Sequence, residues 1–289
     1  MDYEFKIEKL RKELKKLIID EKQISTYFSN PINIVFSAAG CKGFFYAGVG
    51  YSILQSGLYD KINSMRGSSS GAISAAFLAC KVDIFKWLKM YFISNPNVSL
   101  IDNFVEASVL FPENAHKLCE KKKVEIVATE IGFFYVKQKI FNTFETREEL
   151  ITCLKASSCI PFLTYRKFPF CINIKGKYYI DGGFSNILPF YRDALLNQLV
   201  ISLSKLQYPF WYVLSPQDKN IHKLFLQGAI NFQSFINNHC RKTEIFSLVK
   251  TKDKINSIYL NQLSEAKSFI FSIIQIPCNY LYTKKYIFL

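Results

Sequence analysis

Residues 62–80 read INSMRGSSSGAISAAFLAC, and this stretch decides the predicted fold. A short strand-like run opens it, and the small residues that close it favour a helix. Between them, Gly67 to Gly71 has the pattern GxSxG. In a sharp strand–turn–helix unit this pattern exposes the central serine, while the flanking glycines let strand and helix approach each other. Ser69 is therefore the candidate nucleophile and Gly67 and Gly71 the glycines that allow the turn, although the pentapeptide alone also fits a structural loop.

A second glycine-containing turn lies upstream, where a strand-like run at 32–37 leads into AAGCKG and then a helix-like segment. Main-chain N–H groups of such a turn would point into one cavity and stabilise an oxyanion, and losing one such donor costs about 3 to 4 kcal/mol of barrier. A phosphate loop is the alternative, but the turn lacks GxxxxGK[ST] and departs from GxGxxG at its first glycine. The candidate oxyanion or substrate-binding residues are Ala38, Ala39, Gly40, Cys41, Lys42 and Gly43.

The third element is the run Asp181-Gly182-Gly183, which follows a strand-like segment at 178–180. An aspartate at a strand end could accept the serine proton or orient a base, although an isolated DGG is more often an Asx turn. The three elements follow one another in chain order, each at the carboxyl end of a strand, where open α/β sheets place their sites. We therefore expect the Ser69 hydroxyl and the Asp181 carboxylate to lie in contact beside an amide-lined pocket.

The rest of the chain predicts a large α/β domain with two flanking segments. Strand-like and helix-like segments alternate over residues 31–206, which is typical of a layered fold with a mostly parallel sheet. Residues 1–30 predict a basic amphipathic helix, for which packing on the domain is favoured over anchoring to a membrane. Residues 207–289 predict a mainly helical extension. Within it, 268–283 is uncharged but interrupted by polar residues and proline, so we expect a buried or interfacial segment rather than a membrane span.

Composition narrows the classes of protein. The 289 residues are 49% hydrophobic and 21% charged, which excludes a disordered or fibrous chain. The net charge of +14 fits an anionic partner or an overall bias toward lysine, and no HTH, RRM or zinc pattern accompanies it, so no nucleic acid is expected. No metal-ligand spacing is present, and we expect neither a metal nor a cofactor. Eight scattered cysteines and a charged N-terminus predict reduced thiols and no secretory signal, hence an intracellular, cytoplasmic protein associated peripherally with membranes.

Several stretches together resemble the patatin-like phospholipase family, whose domain is also called PNPLA. They are SAAGCKGFFYAGVGYSIL (37–54), RGSSSGAISAAFLA (66–79), VEIVATEI (124–131), LKASSCIPFL (154–163) and YYIDGGFSNILP (178–189). The resemblance covers about residues 32–203. It implies a three-layer α/β/α fold and hydrolysis of lipid esters by a Ser–Asp dyad without histidine.

Carried over from this family, Ser69 is the nucleophile, Asp181 is the proton acceptor, and Ala39 and Gly40 supply N–H groups to the oxyanion. Lys42 matches a position that is usually basic. The chain departs from the family pattern because Ala38 and Ala39 replace two glycines. Wherever φ must be positive, an alanine costs roughly 1 kcal/mol or more, so the departure puts catalytic efficiency in question.

Three readings of function remain open. A serine acyl hydrolase of lipid degradation is favoured, acting on phospholipids rather than triacylglycerols because a basic, aromatic-rich surface suits an anionic interface. A catalytically weak or inactive lipid- or membrane-binding scaffold would keep the same fold. A Ser-Asp-His esterase is the third reading, since His222 and His239 both follow Asp181, whereas His116 precedes it.

Overall fold

The computed structural model describes residues 3–17, 21–93, 104, 106–162, 164–165, 168–191, 197–203, 221–243 and 245–249. Its helices are α1 (Tyr3–Lys15), α2 (Glu21–Tyr27), α3 (Gly43–Gln55), α4 (Ser70–Ala79), α5 (Ile84–Ile93), α6 (Ala115–Lys121), α7 (Arg147–Ser157) and α8 (Ile221–Asn237). Its strands are β1 (Ile32–Phe36), β2 (Ile62–Ser68), β3 (Val124–Ile131), β4 (Val136–Phe141), β5 (Ile172–Ile174), β6 (Lys177–Ile180), β7 (Gln198–Ile201) and β8 (Phe246–Val249).

The described strands form one mixed sheet in the order β5-β6-β3-β2-β1-β7-β8, and β4 pairs with β3. The four central strands β3, β2, β1 and β7 run parallel to one another. The outer strands β4, β5, β6 and β8 are added antiparallel. The predicted α/β class with a largely parallel sheet is confirmed, whereas strands β4, β5 and β8 were not predicted.

The centre of the sheet is apolar on both faces, as a covered parallel strand requires. All five residues of β1 are buried. Ile34 and Phe36 pack in the main core with residues of α3, α4 and α8. Val35 points to the opposite face, where it packs against Leu188 and Val200. This alternation fixes the register of β1 and thereby the position of the turn that follows it.

The described part of the predicted 207–289 segment packs directly on the domain. Helix α8 places Phe232 and Phe235 in the main core, and β8 pairs with β7 at the sheet edge.

Helix α1 buries Leu10 and Leu14 against α5 and α8, so its apolar stripe packs on the domain. The boundary near residue 206 stays a prediction, and residues 250–289, with the 268–283 segment, lie outside the described residues. None of the described helices has the length and apolar character to cross a bilayer.

Candidate active site

Ser69 lies at the junction between β2 and α4 and has a strained backbone. Its φ is 56° and its ψ is −130°, a conformation in which a non-glycine residue costs on the order of 1 to 3 kcal/mol. The flanking glycines allow the close approach that this turn needs. A Cβ at Gly67 would lie 2.4 Å from the carbonyl carbon of Gly71, and one at Gly71 would lie 2.5 Å from the carbonyl oxygen of Ser37. The GxSxG segment therefore forms the sharp turn that its sequence predicts.

Asp181 reaches Ser69 because two strands share one edge of β3. Ser68, the last residue of β2, pairs with Val127, and Ile180, the last residue of β6, pairs with Thr129. Strand β4 pairs with one edge of β3, so β2 and β6 both pair with the other edge, one after the other. Because β6 is antiparallel to β3, it runs toward the carboxyl end of β2. The two strands therefore end nearly face to face, with one nucleophile candidate and one carboxylate candidate immediately after them.

The backbone of Asp181 is fixed on both sides. Its N–H donates to the carbonyl oxygen of Cys159 at 2.7 Å, and its own carbonyl oxygen accepts from Thr129 Oγ1 at 2.8 Å. Cys159 lies in the segment that follows α7, and Thr129 lies in β3. The aspartate is therefore held between the central sheet and a loop on its flank.

The structure brings Ser69 and Asp181 into direct contact. Ser69 Oγ donates to Asp181 Oδ2 at 2.6 Å, and the N–H of Gly183 donates to Asp181 Oδ1 at 2.7 Å. Both side chains are buried. Burial raises the pKa of Asp181 to about 7, and the hydrogen bonds from Ser69 and Gly183 offset that rise only in part. The carboxyl group is thus a far stronger base than an exposed aspartate.

The backbone N–H of Ser69 is held by Ser157, to which the sequence assigned no role. Ser157 Oγ accepts from the Ser69 N–H at 2.9 Å and donates to the carbonyl oxygen of Val127 at 2.6 Å. The hydroxyl therefore links the strained turn to the neighbouring strand. Ser157 is the last residue of α7 and belongs to the stretch LKASSC, whose motif resemblance was the only sequence signal for it.

In the turn after β1, the amides of Ala38 and Ala39 are already engaged. The Ala38 N–H donates to the carbonyl oxygen of Ile187 at 2.8 Å, and the Ala39 N–H donates to Ser70 Oγ at 3.1 Å. The Gly40 N–H has no hydrogen-bond partner among the described residues. Of the two amides predicted to face an oxyanion, that of Gly40 is therefore the one available without rearrangement.

The remaining turn residues hold the turn against the start of α4. Gly40 to Lys42 form a short 3-10 turn that includes the backbone of Cys41, and the Gly43 N–H donates to the carbonyl oxygen of Gly40. The Lys42 side chain is buried. A Cβ at Gly43 would lie 3.0 Å from Cβ of Ser70, so the turn is packed directly beside the residue that follows the candidate nucleophile.

No histidine engages the carboxylate of Asp181 among the described residues, where its partners are Ser69 Oγ and the Gly183 N–H. His239 is exposed and makes a hydrogen bond between Nδ1 and Gln23 Oε1 at 3.1 Å. His222 lies in the first turn of α8. Within the described part of the chain, no three His, Cys, Asp or Glu side chains are grouped in a way that could hold a metal ion. Among the described residues, the candidate site is therefore a serine hydroxyl hydrogen-bonded to a buried carboxylate.

Comparison with known proteins points the same way. The family described as patatin-like phospholipase matches residues 34–194. Human patatin-like phospholipase domain-containing protein 4 is 25% identical over 218 residues, which cover 68% of this chain and 80% of that protein. Mouse omega-hydroxyceramide transacylase is 22% identical over 299 residues, which cover 90% of this chain and 47% of that protein, so the chain spans about half of its length.

Among solved structures, the ExoU–SpcU complex from the type III secretion system of Pseudomonas aeruginosa matches with a TM-score of 0.39 and 13% identity, over 90% of this chain and 61% of that one. The family match covers more than half of the 289 residues and includes both the serine turn and the aspartate. The chain therefore belongs to the patatin-like phospholipase family.

Proposed function

We propose that this protein is a serine acyl hydrolase that cleaves fatty acyl esters of phospholipids through a Ser69–Asp181 dyad. The observation that supports this most strongly is the buried 2.6 Å hydrogen bond between Ser69 Oγ and Asp181 Oδ2. A nucleophile within hydrogen-bond reach of its base, with the base oriented by a third group, is the arrangement that covalent catalysis needs. Here the third group is the Gly183 N–H, which holds the second carboxylate oxygen.

The reaction proceeds through an acyl-enzyme. Asp181, whose pKa is raised to about 7 by burial, takes the proton of Ser69 as Oγ attacks the ester carbonyl carbon. The tetrahedral intermediate collapses, its bond to the leaving alkoxide breaks, and the alkoxide takes the proton from Asp181. Water then attacks the acyl carbonyl carbon while Asp181 takes a proton from it. The bond between that carbon and Ser69 Oγ breaks, Oγ takes the proton from Asp181, and the fatty acid is released. A base whose pKa lies near the working pH is well suited to both proton transfers.

The oxyanion is stabilised by main-chain groups on both sides of Ser69. We assign the first position to the Gly40 N–H, and the first turn of α4 adds the positive end of its dipole. The Ala39 N–H contributes only after its hydrogen bond to Ser70 Oγ opens. This assignment concerns amides alone, so the alanines at 38 and 39 do not remove a donor.

Two observations favour a substrate class and a cellular setting. The family implies lipid ester substrates, and the net charge of +14 favours an anionic phospholipid interface and hence peripheral membrane association in the cytoplasm. The name of the mouse relative adds a branch at the second step. An alcohol that replaces water would give transacylation by the same acyl-enzyme. Products formed from a defined phospholipid panel, with and without an added long-chain alcohol, distinguish hydrolysis from acyl transfer.

The test of the dyad uses two isosteric variants. Ser69→Ala and Asp181→Asn are each expected to lower the rate of ester hydrolysis by at least about a thousandfold, because the dyad acts as a unit. A fluorophosphonate should label the wild-type chain at Ser69 and leave Ser69→Ala unlabelled. Turnover that survives in either variant contradicts the proposal, and a folded wild-type protein that neither labels nor hydrolyses favours the scaffold reading. The control is His222→Ala combined with His239→Ala, which should keep activity if no triad operates.

A further inference from the structure

The turn between β3 and β4 presents bare aromatic side chains to solvent. Phe133 and Phe134 are each 92% exposed, and their rings touch edge to face with centroids 4.5 Å apart. Tyr135 and Val136, which follow them, are also exposed. Contiguous exposed apolar groups on a soluble domain mark an interaction site or an aggregation hazard. We call residues 133–136 the first aromatic group. Its two phenylalanine rings project from the turn, whereas the Tyr135 hydroxyl donates to Glu130 Oε1 at 2.8 Å and Val136 begins β4.

A second aromatic group consists of Phe162, Phe168 and Phe170. The ring of Phe170 lies 4.3 Å from that of Phe162 and 5.8 Å from that of Phe168, between centroids. Phe168 is 87% exposed. Phe162 and Phe170 have φ angles of 66° and 60°, which are costly for a bulky side chain. Backbone strain of this kind is concentrated at functional sites, where the surrounding structure maintains it.

Both groups lie at the edge of the sheet that holds the candidate dyad. Val127 is level with Ser68, and β3 continues beyond it toward Phe133, six residues or about 20 Å further along an extended strand. The second group follows Cys159, whose carbonyl oxygen accepts the N–H of Asp181. Both groups therefore extend from the chain segments that hold the two candidate residues in place.

The charge around the first group is positive. Lys137 and Lys177 approach Glu130 Oε1 at 3.3 Å and 3.6 Å, and both lysine side chains remain more than half exposed. Two cations around one buried carboxylate leave an excess positive charge, and Lys139 next along β4 adds another exposed cation. Aromatic rings beside lysines match the boundary between headgroups and acyl chains of an anionic bilayer.

We infer that the two aromatic groups insert into an anionic bilayer and set the dyad against it. The first group is residues 133–136, and the second is Phe162, Phe168 and Phe170. The inference rests on the proposed function, because it assigns the surface from which the lipid substrate reaches Ser69. It assigns membrane contact to the carboxyl edge of the sheet, whereas the amphipathic α1 buries its apolar stripe within the protein.

The test is co-sedimentation of full-length Ser69→Ala protein with vesicles of phosphatidylcholine and phosphatidylserine, a background in which lipid is not consumed. Adding Phe133→Ser together with Phe134→Ser should weaken partitioning of the protein onto the vesicles at least tenfold. Adding Phe168→Ser alone should weaken it severalfold. These side chains are exposed, so circular dichroism and thermal melts should match the parent. The parent should bind neutral vesicles of phosphatidylcholine alone at least tenfold more weakly than the vesicles that contain phosphatidylserine.

The matched control is Val109→Ser, an apolar side chain that is 68% exposed. Val109 follows Ser108, whose carbonyl oxygen accepts from Arg147 in the first turn of α7. Arg147 lies about 15 Å along that helix from its end at Ser157. Val109→Ser should leave partitioning unchanged. The inference is overturned if the phenylalanine variants bind like the parent, if Val109→Ser weakens binding equally, or if only Phe5→Ser on α1 does so. Failure of the proposed function would instead appear as hydrolysis or labelling independent of Ser69.

Discussion

At the scale of single residues, the turn after β1 shows how the chain dispenses with two glycines of its family. Gly40 has a φ of 51°, so the left-handed position of the turn is occupied by a glycine. Ala39 has a φ of −143°, and Ala38 is not among the positive-φ residues of the described chain. Alanine is therefore accommodated at both positions without backbone strain. The concern that these alanines weaken the turn has no basis in its backbone geometry.

The buried carboxyl of Asp181 makes a prediction for the pH dependence of activity and stability. Its pKa is about 7 in the folded chain, above the ordinary value, so kcat/KM should rise with pH and level off above about pH 7. Between about pH 4 and pH 7 the unfolded chain ionises Asp181 while the folded chain keeps it neutral, so its contribution to stability falls as pH rises. The loss is complete above pH 7 and amounts to at most about 4 kcal/mol.

Asp181→Asn removes this titration while keeping the shape of the side chain. In thermal melts, the variant should therefore be more stable than the wild type at pH 8, and this difference in stability should shrink toward pH 5. The prediction is wrong if the difference in stability is independent of pH. It is also wrong if the wild type becomes more stable relative to Asp181→Asn as the pH rises from 5 to 8.

At the scale of elements, the parts that the sequence predicts well are those with local signals. The run TREE (146–149) has the sequence pattern of a capping box and predicts a helix start, and Thr146 caps α7 through its Oγ1, which accepts the Glu149 N–H at 3.1 Å. The strands β1, β2, β3 and β6 and the helices α3 and α4 also follow from local apolar runs and turn residues. Strand β4 was missed because its first four residues are all exposed and two of them are lysines, so no apolar run marks the strand. Strand β5 has only three residues, and both strands depend on pairing with distant partners.

The same distinction explains what was predicted of the site. Ser69 and Asp181 carry recognisable turn motifs, and the rule that sites gather at strand ends joins them across 112 residues. The Ser157 hydroxyl acts through two hydrogen bonds and the Cys159 carbonyl through one, each to a backbone group of another segment. Such bonds leave no periodicity or spacing in the sequence, so no pattern could have assigned these two residues their positions.

The crossing of α3 and α8 predicts which glycine of α3 is indispensable. A Cβ at Gly48 would lie 1.9 Å from the carbonyl oxygen of Phe225, a backbone atom that cannot move aside alone. Gly48→Ala should therefore lower the free energy of unfolding by about 3 kcal/mol, the upper end of the usual cost of overpacking a core. Gly50→Ala is the control within the same helix, because its Cβ would meet nothing closer than 3.9 Å.

Urea denaturation of the two variants measures the difference. Gly50→Ala should be neutral or up to about 1 kcal/mol more stable, since alanine is the better helix former. Equal stability of the two variants would mean that α8 does not cross α3 as closely as described.

At the scale of the whole molecule, the site is assembled from segments that are far apart in the chain and are brought together by one sheet. The candidate nucleophile Ser69 follows β2, the candidate base Asp181 follows β6, the amide turn follows β1, and Ser157 ends α7. Helix α8 and strand β8 come after all of these segments, yet Phe235 and Phe246 stack at 5.1 Å in the core that supports β1 and α3. Residues 221–243 and 245–249 therefore contribute to the stability of the domain that carries the candidate site.

This dependence predicts that a charge in the core face of α8 abolishes activity without touching the site. Phe235→Asp places an unpaired carboxylate among Phe232, Phe246 and Ile236, where burial without a partner costs several kcal/mol. The variant should lose both cooperative thermal unfolding and labelling of Ser69 by a fluorophosphonate. Ile230→Asp, on the exposed side of the same helix, should keep both. If Phe235→Asp still labels at the wild-type rate and melts cooperatively, α8 is a separable appendage, and the domain that carries the dyad is complete without it.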